Sequence, residues 1–337
     1  MTLTPTELLQ QTARSRRAVI AMSEGSDPRI VEGALAARDL GLADIILVGP
    51  RADILAALAP HGAVEGDRLA IHDPADSPLS ADLSAAYLAL RARKGADRAK
   101  ADAAVRDPLV YAALLVREGH ADGTVGGAVA TTSDIVRAAL QMIGKAPDAA
   151  LVSSFFLMYP PAAASESARA MLYSDSGLVI DPSAEELASI AATSATSFRA
   201  LMQDTPRIAM LSFSTKGSAR HPAVDKVTTA TALLRTAHPD LSVDGELQFD
   251  AAFVPAVGAS KAPGSDVAGT ANVMIFPNLD AGNIAYKITQ RLGGYTAIGP
   301  VLQGLAKPAN DLSRGCSASD VTEIIAVTAL QSFEARA

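Results

Sequence analysis

Asn310, Asp311, Ser313, Arg314, Gly315, Cys316 and Asp320 fall within eleven positions near the end of the 337-residue chain. Thiol, hydroxyl, guanidinium and carboxylate groups at that density are unusual outside a site, because loops held by a rigid scaffold are where chemistry concentrates. Cys316 is the candidate nucleophile for an acyl-enzyme, although no histidine is near it in sequence and a lone cysteine also serves as a small buried hydrophobe. Asp320 follows Ser317 by three residues, the spacing of a helix capping box, so on pattern alone it reads first as a cap.

A second group of residues suits anions. Gly126 and Gly127, with Thr131, Thr132 and Ser133, stand just before a helical segment, where backbone N–H groups and the helix dipole favour a phosphate; Arg137 lies one turn inside. The same residues also describe an N-capped helix after a tight turn. Ser214 to Ser218 forms a similar strand-to-helix loop. Arg91, Arg93 and Lys94 end a helix before Gly95, and Arg291 ends another before Gly293 and Gly294, places where the dipole already favours cations.

Other chemistries lack their residues. No two glycines are separated by a single residue, so the dinucleotide fingerprint GxGxxG cannot occur, and neither GK[ST] nor GxSxG is present. The five histidines are scattered without ligand spacing and there is one cysteine, so no metal site is expected. A net charge of −7 and the 4% aromatic content argue against a nucleic-acid partner. The single cysteine excludes an intrachain disulfide framework and fits a reducing, cytoplasmic setting. Arg14, Arg16 and Arg17 precede an apolar run, Ala18 to Met22, that is too short for a signal peptide, and no stretch is apolar for long enough to span a membrane.

The elements that must position these residues alternate between strand-like and helix-like. Arg17–Ser23, Asp44–Val48 and Leu69–His72 read as strands, and Asp27–Leu40 and Ala52–Leu58 as helices. Two or three helices follow between Ser80 and His120, the last opening with Asp107 as cap and Pro108 at its first position. Ser133–Ile143 is helical; Leu151–Tyr159 and Arg169–Ile180 read as longer β runs. Glu185–Met202 and Ala223–Ala237 are helical around a strand at Arg207–Phe213. Near the end, Val273–Phe276 is extended, Asp280–Leu292 is a helix with Ile284, Ile288 and Leu292 on one face, Ala297–Leu302 is extended, and Ala309–Ser319 is a loop before a last helix. With 49% hydrophobic residues, this is an α/β protein of about two domains with helices flanking mostly parallel sheets. The best boundary is Gly144 to Pro147.

The run PNLDAGNIAYKITQRLGG followed by AIGPVLQGLAKPANDLSRGCS resembles the signature of the phosphate acetyltransferase family. SEGSDPRI, LRARKG, GGAVATTSDIVR, MLSFSTKGSA and DGELQFDAA occur in that family's order and spacing, so the resemblance covers nearly the whole chain. One departure is Asn278, Leu279, Asp280, where family members often carry Asp, Leu, Asn. The resemblance implies two α/β domains of isocitrate/isopropylmalate dehydrogenase-like type with an active-site cleft between them. Residues 1–147 and 303–337 would form one domain, and 148–302 a second that dimerises. It also implies Asp320, Ser313 and Arg314 as catalytic residues, Arg91, Arg137 and Arg291 as substrate-binding arginines beside the Gly127, Thr131, Thr132 and Ser133 loop, and a cytoplasmic homodimer. The implied reaction is reversible acetyl transfer between acetyl phosphate and coenzyme A, with inorganic phosphate released, no tightly bound cofactor and no covalent enzyme intermediate. A phosphate butyryltransferase or another short-chain acyl transferase is the alternative, since sequence does not give the acyl pocket's volume. A non-catalytic acyl-CoA sensing domain is the rival from another class, and the intact Ser313, Arg314 and Asp320 stand against it.

Overall fold

The computed structural model describes residues 3–11, 17–66, 68–147, 149–161 and 168–334. Arg14 and Arg16, and Asp148 at the expected start of the second domain, lie outside them. The chain divides into two compact units, one of Leu3–Pro147 with Leu305–Ala337 and one containing Asp148–Gly304.

In chain order the first unit begins with α1 (Pro5–Gln11), β1 (Ala18–Met22), α2 (Pro28–Asp39), β2 (Ala43–Val48), α3 (Arg51–Leu58) and β3 (Leu69–His72). It continues with α4 (Ser80–Arg91), α5 (Arg98–Ala104), α6 (Pro108–Glu118), β4 (Gly123–Gly126) and α7 (Thr132–Met142). The helix starts are local decisions. Asp27 and Asp107 each accept an N–H from two residues on, with proline at the first helical position.

The second unit holds β5 (Ser153–Tyr159), β6 (Met171–Ser174), α8 (Ala184–Met202), β7 (Arg207–Leu211), α9 (Pro222–Ala237) and β8 (Ser242–Leu247). The short helices α10 (Phe249–Phe253) and α11 (Pro255–Lys261) precede β9 (Val273–Ile275), α12 (Leu279–Arg291) and β10 (Thr296–Gln303). Among the described residues its sheet runs β10-β5-β6-β9-β7-β8; β5 is antiparallel to both its neighbours and the rest are parallel. Two expectations change here. The β run at Arg169–Ile180 stops at Ser174, because the amides of Gly177 and Leu178 turn to the Asp175 side chain, at 2.8 and 2.9 Å, and leave the ladder. The apolar face of α12 does form, but Ile284, Ile288 and Leu292 are 57%, 52% and 85% exposed.

The chain then returns to the first unit as β11 (Ala309–Asp311) and α13 (Ala318–Glu334). Three residues expected to be loop thus become a strand, paired in parallel with β4 through Asp311 opposite Gly126. Among the described residues the sheet of this unit is wholly parallel, in the order β11-β4-β1-β2-β3. Leaving β1 the chain moves outward through β2 and β3, and it later crosses back to place β4 on β1's other side. The topological switch point therefore lies between the carboxyl ends of β1 and β4, where open α/β sheets bind ligands. Buried Tyr111, Leu114, Leu115 and Met142 pack α6 and α7 against one face of the sheet. α13 lies against α2, so close at Gly33 that a Cβ there would come within 2.6 Å of Val321 Cβ.

Candidate active site

Three loops leave the strand ends at this switch point: Ser23–Asp27 after β1, Gly127–Thr131 after β4, and Leu312–Ser317 after β11. Glu24 knits the first to the second. Its Oε2 accepts the N–H groups of Gly127 and Ala128 at 2.8 and 2.7 Å, and its Oε1 those of Val129 and Ala130 at 3.1 and 2.6 Å. The amides expected to face a phosphate here face the Glu24 carboxylate. Four successive donors converging on one point favour an anion, and Glu24 supplies it from within.

Arg29 knits all three loops. Its Nε and Nη2 donate to the Asp27 carboxylate at 3.0 and 2.8 Å. Nη2 also reaches the Ala128 carbonyl at 2.8 Å, while Nη1 donates to the Arg314 carbonyl at 2.7 Å and approaches Cys316 Sγ at 4.0 Å. The bidentate bond from Arg29 holds the Asp27 carboxyl below the usual carboxylate range.

Asp311 lies beneath the Gly127 loop, 1% exposed. Its Oδ2 accepts the Thr132 hydroxyl at 2.6 Å, whereas Oδ1 has no hydrogen-bond partner among the described residues. Gly127 is required here twice over: its φ is +100°, and a Cβ would collide with Asp311 Oδ1. Burial, with the Glu24 charge adding to it and the Thr132 hydroxyl opposing, pushes the Asp311 carboxyl up to about 7.

The remaining expected residues sit as follows. Thr131 caps α7 by accepting the Asp134 N–H at 3.3 Å and donates to its carboxylate at 2.7 Å. Asp134 is in turn paired with Arg137 at 2.7 Å, and the Thr131 hydroxyl followed by Arg137 lowers its pKa. Ser133 is exposed. Ser313, Arg314 and Asp320 are exposed on the stretch joining β11 to the first turn of α13. Ser313 Oγ accepts the Gly315 N–H at 3.3 Å. Asp320 and Ser317 form a reciprocal capping box, Ser317 N–H to Asp320 Oδ2 at 2.8 Å and Asp320 N–H to Ser317 Oγ at 3.2 Å. Cys316 is buried, and burial raises its thiol pKa. Arg91 ends α4 half-buried, and its side chain makes no hydrogen bond or ion pair among the described residues. Arg291, exposed at the end of α12, belongs to the second unit. In that unit the Ser214–Ser218 loop is closed on itself: Glu246 Oε1 accepts from Ser214 Oγ and from the Gly217 amide at 2.8 and 2.7 Å.

Glu24, Arg29 and Asp311 carry most of this architecture; residue type placed Asp311 in the polar cluster near the C-terminus without a role, and singled out neither Glu24 nor Arg29. The available signal was a Ser-Glu-Gly-Ser-Asp-Pro-Arg turn directly after a strand, paired with a glycine-ended strand elsewhere. Among the described residues no group of His, Cys, Asp or Glu is placed to hold a metal, and no helix is long and apolar enough to cross a membrane.

A parallel sheet whose switch-point loops present a hydroxyl, a guanidinium and a carboxylate on one short stretch defines an α/β protein with its candidate site at the strand ends. The family model described as Phosphate acetyl/butaryl transferase matches residues 5–329, and the chain belongs to that family. A phosphate acetyltransferase of Paracoccus denitrificans is 49% identical over 327 residues, spanning 97% of this chain and 99% of that protein. One of Acetivibrio thermocellus is 44% identical, spanning 96% and 97%. The crystal structure of a phosphotransacetylase from Streptococcus pyogenes superposes with a TM-score of 0.91 at 42% identity, covering 98% of both chains.

Proposed function

We propose that this chain is a phosphate acetyltransferase, moving an acetyl group reversibly between acetyl phosphate and coenzyme A. Near-full-length identity to phosphate acetyltransferases supports the reaction. The observation that carries the site assignment is that Ser313, Arg314 and Asp320 are exposed together on one loop-to-helix junction whose backbone Arg29 anchors. In the forward direction Asp320 takes the proton of the CoA thiol as its sulfur attacks the acetyl carbonyl. The C–S bond forms, the bond from carbonyl carbon to phosphate oxygen breaks, and inorganic phosphate leaves. Ser313 donates a hydrogen bond to the developing oxyanion, and Arg314 holds the departing phosphate. The proton moves to Asp320 together with the attack, as general-base catalysis requires. Arg91, Arg137 and Arg291 bind the phosphates of the two anionic substrates; Arg137 exchanges Asp134 for substrate. CoA enters as a substrate and no tightly bound cofactor takes part. The protein works in the cytoplasm as a homodimer, for which the exposed stripe Ile284, Ile288, Leu292 is the surface to cover.

The test is to mix purified protein, CoA and acetyl phosphate and follow thioester absorbance. Steady thioester formation is expected, with butyryl phosphate a poorer donor. No thioester at any protein concentration would refute the reading.

A further inference from the structure

Glu24 touches none of the residues assigned to the chemistry, yet the position of two of them passes through it. Four consecutive amides converge on its carboxylate, and that convergence fixes where the Ala128 carbonyl points. The Ala128 carbonyl accepts from Arg29 Nη2, and the same guanidinium holds the Arg314 carbonyl from Nη1. With Asp27 taking Nε and the rest of Nη2, the fork of Arg29 is committed to protein groups. The loop bearing Ser313 and Arg314 is tied at its ends, by Leu312 N–H to the Gly126 carbonyl at 2.7 Å and by the Ser317–Asp320 box; between them Ser313 bonds only within the loop, to the Gly315 amide, and the turn closes through Cys316 N–H to the Ser313 carbonyl at 2.9 Å.

We propose that Glu24 is a positioning residue for acyl transfer, setting the place of Ser313 and Arg314 through the Gly127–Ala130 amides, the Ala128 carbonyl and Arg29. This rests on the phosphate acetyltransferase reading. Removing the carboxylate leaves four amide donors aimed at an empty point, the loop relaxes, and the Arg314 carbonyl loses its fixed partner. Displacements of about 1 Å in a reacting constellation cost on the order of 10²-fold in rate. Arg91, Arg137 and Arg291 lie outside this chain of contacts and keep their hold on substrate phosphates, so the loss falls chiefly on kcat, with a smaller rise in the KM for acetyl phosphate through Arg314.

The experiment compares Glu24→Ala and Glu24→Gln with the parent protein by kcat, by KM for both substrates, and by hydrogen exchange over residues 312–317. Glu24→Ala should lose kcat by about 10²-fold, with the KM for CoA changed by less than about threefold and any rise in the KM for acetyl phosphate well below the kcat loss. Formate, a carboxylate small enough to refill the four-amide site, should recover roughly tenfold of that loss, whereas chloride at equal ionic strength should not. Glu24→Gln, which sets an NH₂ group against two N–H donors, should fall similarly without rescue; it provides the kcat–KM split if the alanine variant does not fold. Amide exchange in 312–317 should rise in Glu24→Ala and return with formate. A folded variant with kcat within threefold of the parent, or a loss confined to KM, or a kcat loss in Glu24→Ala that formate leaves untouched, would overturn the assignment. If the parent protein makes no thioester, the function reading fails by itself, and the exchange measurement, which needs no turnover, still decides whether Glu24 holds the loop.

Discussion

Asp320 and Ser317 hold each other's backbone N–H groups in a reciprocal capping box that opens α13. The carboxylate proposed to take a proton from the thiol is thus also the group that starts a helix, and the two roles separate by substitution. Ser317→Ala removes one acceptor and leaves the Asp320 carboxylate in place. It should cost about 1 kcal/mol of stability, a fall of about 2 to 4 °C in Tm, with kcat nearly unchanged. A large kcat loss in that variant, seen alongside a normal melting curve, would mean that the box itself is needed for turnover.

Asp311 makes stability depend on pH in an unusual direction. Its carboxyl is pushed up to about 7 in the folded chain, chiefly by burial, against about 3.9 when unfolded. Between those values the folded state keeps a proton that the unfolded state has lost, so this group lowers stability as pH rises through the window, by up to roughly 4 kcal/mol. Asp311→Asn keeps an acceptor for the Thr132 hydroxyl and cannot ionise. Denaturant midpoints at about pH 5 and pH 8 should therefore differ less in Asp311→Asn than in the parent. Parallel behaviour of the two proteins would show that Asp311 is ionised throughout.

Cys316 is buried beside Arg29 with its thiol pKa raised, the opposite of an activated nucleophile. Cys316→Ser should retain most activity. Collapse of turnover in a folded variant, together with recovery of an acetylated Cys316 from the parent, would establish a ping-pong route and displace the ternary-complex mechanism.

On the proposed function, four arginines divide the work of holding phosphate groups in a chain of net charge −7. Alanine at Arg91, Arg137, Arg291 or Arg314 should raise KM for acetyl phosphate or CoA, and added salt should inhibit by screening. Arg137 is paired with Asp134 in the unliganded chain, so Asp134→Asn should lower the KM that Arg137→Ala raises. Four alanine variants with ordinary kinetics would place the anion site elsewhere.

Much of the fold was legible because long periodic segments announce themselves: α2, α8, α9 and α12 fall within a residue or so of their expected limits. β11 was not, since three residues among polar neighbours carry no periodicity, and only pairing with β4 makes them a strand. β6 ends early for a reason equally invisible in pattern, a side chain that takes its own chain's amides. The site was legible as residue types and family motif. Its architecture was not, because Glu24 and the Gly127–Ala130 amides are about a hundred residues apart and meet only through the parallel pairing of β1 with β4.

The most direct measurement is the turnover of Asp320→Asn with CoA and acetyl phosphate, beside its Tm and CoA affinity. Asparagine keeps an oxygen for the Ser317 N–H and loses the base. The account predicts a kcat lower by about 10² to 10⁴-fold with melting temperature and CoA binding close to the parent's. Turnover near the parent's value would contradict it, returning Asp320 to the single role of capping α13.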